Sequence, residues 1–378
     1  PRFGRPLGRV DLKFVKNMLI GIWQTRSVNL TDIARSLNEN IRLHATHKRL
    51  SRNLDNIELQ ERLSTGLLKM VSEYVRPDTR LIVHIYEITK KYASKIEFLA
   101  DKETDAKAGF KVCEILASQV NSEAYMPMLA HVWSDQTPGY LSDEKEIQKA
   151  VQTVLQATED RGIFYFDDRS LRGNLIRHLM SDSHADFVAM VNDVDLIVEC
   201  RGANATLKSL CEDVETPYGK MMFKLVPAGL LGSASQRDMD LFIHVGSLPI
   251  KLLENPRRLS LIALKSKNRM VGEHLTPIIT SKTRLRSRKA LMGLVESFLS
   301  MHDVVGLHGE LRDKFNPAGF RVLTYNRLQL LLTLLQAVIC AESSAPGKVA
   351  VSDQQYSRQP HDGDMSRTYY RPEDGLEV

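Results

Sequence analysis

Three short apolar runs, an amphipathic stretch and a fourth apolar run constrain this chain more than any other feature of it. The runs are LIVHIYEI (81–88), GFKVCEILASQV (109–120) and PMLAHVWS (127–134), followed after the stretch 142–160 by GIFYFDD (162–168). β-Branched and aromatic residues at strand length, bounded by turn residues, predict strands. In 142–160, Ile147, Val151, Val154 and Leu155 recur at helical spacing. The order is therefore β-β-β-α-β. A further helical segment, LRGNLIRHLMSD (171–182), and a strand, DFVAMV (186–191), follow it. An α/β fold with a mixed sheet flanked by helices is the economical arrangement.

The segments on either side differ in character. Residues 11–24 place Leu12, Val15, Leu19 and Ile22 on one helical face, Ser27 and Asn29 break the pattern, and Thr31 is the expected N-cap of the next helix. TDIARSL, the polar turn Asn38-Glu39-Asn40 and RLHATHKRLSRNL then read as a helix-turn-helix, with Arg42, His47, Lys48, Arg49 and Arg52 on or beside its second helix. Ala45 and Thr46 are small enough there to permit close approach to a DNA groove. A helix over 58–76 closes at a turn around Pro77. Residues 194–280 predict a β-rich insertion of short strands with little helix, 287–312 and 324–340 predict helices, and the polar segment from Glu342 predicts disorder. The expected division is a helical DNA-binding region (1–76), a first part of the core (77–193), the insertion (194–280), C-terminal core helices (281–340) and a tail (341–378). A length of 378 residues suits such a multi-part chain.

Charge points to an anionic partner. The net charge is +5, but the first 55 residues carry eleven Lys or Arg against four Asp or Glu. A second basic run, Lys282, Arg284, Arg286, Arg288 and Lys289, precedes the penultimate helix, where it suits a phosphate backbone; a merely solvated basic face is the alternative. The four cysteines lack zinc-ligand spacing and fit a reducing cytoplasm. No apolar run of about 18 residues is apparent, so no membrane partner is expected. A Walker-type phosphate loop, a GxSxG elbow and an HExxH zinc helix are all missing from the sequence.

Cleavage of a phosphodiester by two metal ions requires carboxylates gathered from strand ends, because hard Mg²⁺ prefers oxygen ligands. Asp167, closing the hydrophobic run GIFYF, is the leading candidate, with Asp168 beside it. Capping of the helix near Leu171 is the competing role for Asp167.

The blocks SVNLTDIARSL, LHATHKRLSRNL, LIVHIYEITKKYA, EILASQV, RGIFYFDDRSLRGNLIRHL and KFNPAGFRVLTYNRLQLLLTLL, in that order, resemble the bacterial DDE transposases of the insertion-sequence-four group over about residues 15–340. The resemblance implies an RNase H-like core interrupted by a β-rich insertion. It also implies binding of terminal inverted repeats, a homodimer bridging two DNA ends, and strand cleavage and transfer with Mg²⁺ or Mn²⁺ held by two Asp and one Glu. It implies a nucleoid-associated location in the cytoplasm. Carried over residue by residue, the second Asp is Asp167, but His84 stands in the frame of the first, with Glu87 three residues along. The third acid's frame of Tyr, Arg, Glu and Lys falls on Phe298, Met301, Val305 and Arg312, with Glu310 and Glu296 as nearby acids. The candidate catalytic set is thus Asp167, Glu87 and Glu310, with Asp167 as metal ligand and His84 and Val305 as degenerate positions. His47, Lys48, Arg49, Arg52, Arg284, Arg286, Arg288 and Arg312 are the DNA-binding candidates. Loss of two ligands predicts impaired cleavage. The alternatives are a DNA-binding relic or repressor without catalysis, and a non-enzymatic structural or interaction protein.

Overall fold

The computed structural model describes residues 7–89, 95–100, 109–120, 122, 124–166, 175, 179, 185–225, 238–253, 255, 257–268 and 272–344. Residues Pro1–Ser344 form one compact unit. The disorder expected from Glu342 onward begins too early, because the last helix runs to Ser343 with Glu342 buried against Arg26; residues 345–378 lie outside the described residues, as does most of the predicted helix over 171–182.

Four N-terminal helices come first: α1 (Arg9–Thr25), α2 (Leu30–Ser36), α3 (Leu43–Asn53) and α4 (Ile57–Ser72). The predicted strands follow as β1 (Arg80–Thr89), β2 (Gly109–Ser118) and β3 (Tyr125–Trp133), then α5 (Asp143–Thr158), β4 (Ile163–Phe166) and β5 (Asp186–Met190). Next are β6 (Ile197–Cys200), β7 (Ala203–Thr206), α6 (Leu207–Asp213), β8 (Tyr218–Leu225), β9 (Asp238–Leu252), β10 (Leu259–Asn268) and β11 (Gly272–Thr280). Helices α7 (Arg288–Asp313) and α8 (Tyr325–Ser343) close the described chain. The N-cap of α2 is Asn29, whose side chain accepts from the Thr31 amide, rather than Thr31 itself. Asn29 carries its acceptor one atom farther out than a hydroxyl and holds the extended backbone a cap requires.

The sheet is mixed. Its order is β3-β2-β1-β4-β5-β11-β10-β9-β6-β7, with β8 also paired to β9. β2 runs antiparallel to β1 and β3 antiparallel to β2, whereas β4 lies parallel to β1 and β5 parallel to β4. All four residues of β4 are buried, as a parallel central strand covered on both faces requires. Alternation sorts the side chains: Leu81 and Val83 pack with α5, while Ile82, Tyr165 and Val188 pack with α7. Phe298 and Val295 of α7 are at most 1% exposed, each burial contributing roughly 1.5–3 kcal/mol. A further cluster joins α1 to α3 with α8 and with Ile88, Phe110 and Val132 of the sheet.

Two findings depart from the sequence reading. The strands of 194–280 are not all short, since β9 is 15 residues long, and β11 pairs antiparallel with β5 through Ile278↔Met190 and Thr280↔Val188. The open edge of β5 would otherwise leave its N–H and C=O groups unmatched. Second, Arg288–Gly319 is long and apolar enough, by length and composition, to cross a membrane. Here α7 lies on the sheet as a core helix and carries His308 and Arg312 inward.

Arg80 pins this helix to the sheet. Its guanidinium is fully buried and donates from Nη1 to the Ser297 carbonyl (3.1 Å) and Ser300 Oγ (2.7 Å) on α7. From Nη2 it donates to Ser118 Oγ (2.9 Å) and to the carbonyls of Gln119 (2.9 Å) and Ser122 (3.0 Å). Burial lowers the Arg80 pKa, and five acceptors from two sides offset that desolvation.

Candidate functional site

Where β1 and β2 pass beneath α7, the sheet carries a buried polar network. His84 of β1 stands directly opposite Glu114 of β2. His308 Nε2, on α7, donates to Glu114 Oε2 at 2.5 Å, and Arg312 Nη1 lies 4.0 Å from the same oxygen. Arg312 also reaches Asp313 Oδ1 at 3.1 Å and sits over the Tyr86 ring with its Cζ 3.8 Å from the centroid. The His308 ring meets Tyr125 edge to face, and His84 stacks on Tyr86. Glu114 is 3% exposed and His308 fully buried. Burial pushes the Glu114 carboxyl up, but His308, Arg312 and His84 outweigh it and hold the group below its ordinary value. Loss of hydration, with the Glu114 carboxylate beside it, pushes the Tyr86 phenol well up.

This arrangement does not fit the divalent ion that the sequence resemblance implies. Mg²⁺ takes several oxygen donors and dehydrates reluctantly. The donor that His84, His308 and Arg312 surround is the single carboxylate of Glu114, already engaged by an imidazole and facing a guanidinium. Val305 is one turn from His308, half-buried against the α7 cluster, and offers no ligand. Among the described residues no three His, Cys, Asp or Glu side chains group so as to hold a metal ion.

The remaining acid candidates do not converge there. Glu87 is exposed and, three positions from His84 along β1, points to the other face of the sheet. Glu310 is exposed on α7, and Glu296 pairs with Lys220 at 2.8 Å. Asp167 and Asp168 lie outside the described residues; the last residue of β4, Phe166, is in register with Val83, next to His84.

The basic candidates fall into two groups. Lys48 and Arg52 of α3 are exposed and His47 is half-buried, while Arg49 is held by Glu39 at 2.7 Å, an interaction that lowers the Glu39 carboxyl. Thr46, expected to face a groove, is 1% exposed and donates to Glu39 instead, because it shares the inner face with Leu50 four residues on. Arg284, Arg286 and Arg288 are exposed before and at the start of α7. Arg312, expected beside DNA, is 9% exposed and turned into the Glu114 network.

Glu114 and His308 are the residues that sequence reasoning missed. The signal for the first was present, since a glutamate inside the apolar run FKVCEILA must be neutralised if that strand is buried.

No family model matches the sequence, and no curated protein matches it. Among solved structures, the chain is similar to a piggyBac transposase seen by cryo-electron microscopy in a synaptic complex with hairpin DNA. The two share 10% identity with a TM-score of 0.41, over 96% of this chain and 79% of that one.

Proposed function

We propose that this chain is a transposase-type DNA-binding protein that has kept an RNase H-like core and lost metal-dependent strand cleavage. The strand order β3-β2-β1-β4-β5, with β2 antiparallel and β4 and β5 parallel to β1, supports the core assignment. The network of Glu114, His308 and Arg312 at His84 supports the second half of the reading, because the one carboxylate it holds is already engaged by an imidazole and faces a guanidinium. In this reading α2, the turn and α3 act as a helix-turn-helix. Lys48 and Arg52 then contact phosphates, and Arg284, Arg286 and Arg288 extend the basic surface. The ends of an insertion element are the proposed target, a homodimer the proposed bridging species, and the nucleoid the proposed location.

Anisotropy with labelled duplex DNA across a salt titration, paired with a nicking assay in Mg²⁺ and in Mn²⁺, tests both halves. Salt-dependent binding without nicking is the expected outcome. Nicking that Asp167→Ala abolishes overturns the loss of cleavage, and binding indifferent to salt overturns the DNA assignment.

A further inference from the structure

A second feature lies away from the Glu114 network. A cleft of about 1450 Å³ opens between the β-rich segment and the stretch leading into α7. Arg201 and Arg258 line it from the first side, Arg284 and Arg286 from the second. All four are exposed, and among the described residues none of the four guanidinium groups has a hydrogen-bond or ion-pair partner, whereas the neighbouring Arg257 is paired with Asp186. Two carboxylates, Asp213 and Glu215, share the lining, so cations outnumber anions two to one.

We infer that this cleft is a clamp for the phosphate backbone of duplex DNA, built from arginines of both walls. The inference rests on the DNA-binding reading above and adds to the basic run at Arg284 and Arg286 a facing wall, Arg201 and Arg258, that no sequence motif marks. The guanidinium is suited to the occupant because its planar fork binds phosphate oxygens bidentately and is weakly hydrated. Size argues against a small anion, since pockets for small ligands run to roughly 300–1000 Å³ and this cleft exceeds that range. Among the described residues Tyr218 is the one aromatic in the lining, which argues against unpaired bases, because single strands are held on several stacking rings. Paired phosphates, met from two sides, suit what remains.

The wall is preset by backbone packing. A Cβ on Gly246 of β9 would stand 2.0 Å from the Glu215 carbonyl oxygen. The bare glycine therefore lets the 215–217 segment lie directly on the strand. Lys265 fastens the end of α6 by donating to the Glu212 carbonyl at 3.1 Å. The cleft is thus formed before any ligand arrives.

The test compares the full chain with Arg201→Ala/Arg258→Ala, two exposed positions whose loss leaves thermal unfolding unchanged. Fluorescence anisotropy is read on a short labelled duplex of arbitrary sequence and on one of its separated strands, across a salt titration. Two lost phosphate contacts reduce the slope of log affinity against log salt by about 2 on the duplex. Asp213→Asn/Glu215→Gln tightens binding in the same assay. An unchanged slope in the arginine variant, with the native chain still bound, overturns the clamp and leaves the proposed function standing. A loss confined to the single strand overturns the duplex assignment, and a native chain that binds neither probe overturns the proposed function and the clamp together.

Discussion

Glu114→Gln keeps the shape of a buried side chain and removes its charge, so it isolates what the carboxylate does for its neighbours. In the native chain that group accepts from His308 at 2.5 Å and faces Arg312 at 4.0 Å. Removing one member of a buried pair costs about 3–5 kcal/mol, because the other is left uncompensated. Arg312 retains Asp313 at 3.1 Å and the Tyr86 ring at 3.8 Å, which places the expected loss at the lower end, ~3 kcal/mol. At about 2 cal/mol/K of unfolding entropy per residue, the unit Pro1–Ser344 has an unfolding entropy of roughly 0.7 kcal/mol/K. The melting temperature therefore falls by about 4 °C, read by circular dichroism at neutral pH without DNA. Glu310→Gln, on the exposed side of the same helix, serves as the control and leaves it unchanged. The carboxyl is held below its ordinary value of 4.5 when folded. Its contribution is thus complete above that pH and is lost as pH falls through the lowered folded value, so native and variant curves draw together in acid. A variant that melts within about 1 °C of the native chain at pH 7 refutes the idea that this pair holds α7 to the sheet.

Other expectations follow from the same geometry. Lys48→Ala and Arg52→Ala each lower the salt slope of duplex binding by about 1, whereas Arg49→Ala chiefly releases Glu39 and costs at most about 1 kcal/mol of stability in urea unfolding. Gly246→Ala drives a methyl group into the Glu215 carbonyl and destabilises by about 1–3 kcal/mol, a loss that differential scanning calorimetry would register. Asp186 is pushed up by burial but held lower by Lys282, Ser281 and Arg257. Asp186→Asn then costs roughly 1 kcal/mol at pH 7, discounted for solvent screening, and the difference closes as pH drops below the usual 3.8. A urea midpoint for Asp186→Asn equal to the native one at pH 7 contradicts that account.

The periodicity of residues 81–191 was enough to read β1 to β5 and α5, because strands and amphipathic helices are patterned by local burial. What joined the β-rich segment to the core was not readable in that way. The pairing of β11 with β5 brings Thr280 beside Val188, and a ladder between residues so distant leaves no local mark in composition. Helical spacing alone already placed Thr46 on the face of Leu50, so its inward turn was legible, and a small residue was mistaken for an exposed one. Beneath α7 the polar network around His84 was not readable from the sequence. Glu114 and His308 belong to no motif, and they meet only because β2 and α7 cross.

The bonds of Arg80 reach 217 and 220 residues along the chain to Ser297 and Ser300. As the polypeptide is synthesised, the guanidinium at the start of β1 must stay hydrated until α7 has been made, since two of its five acceptors do not yet exist. Drying out that hairpin is therefore one of the last events of assembly, and sheet and closing helix form a single cooperative unit rather than a scaffold with a lid added later.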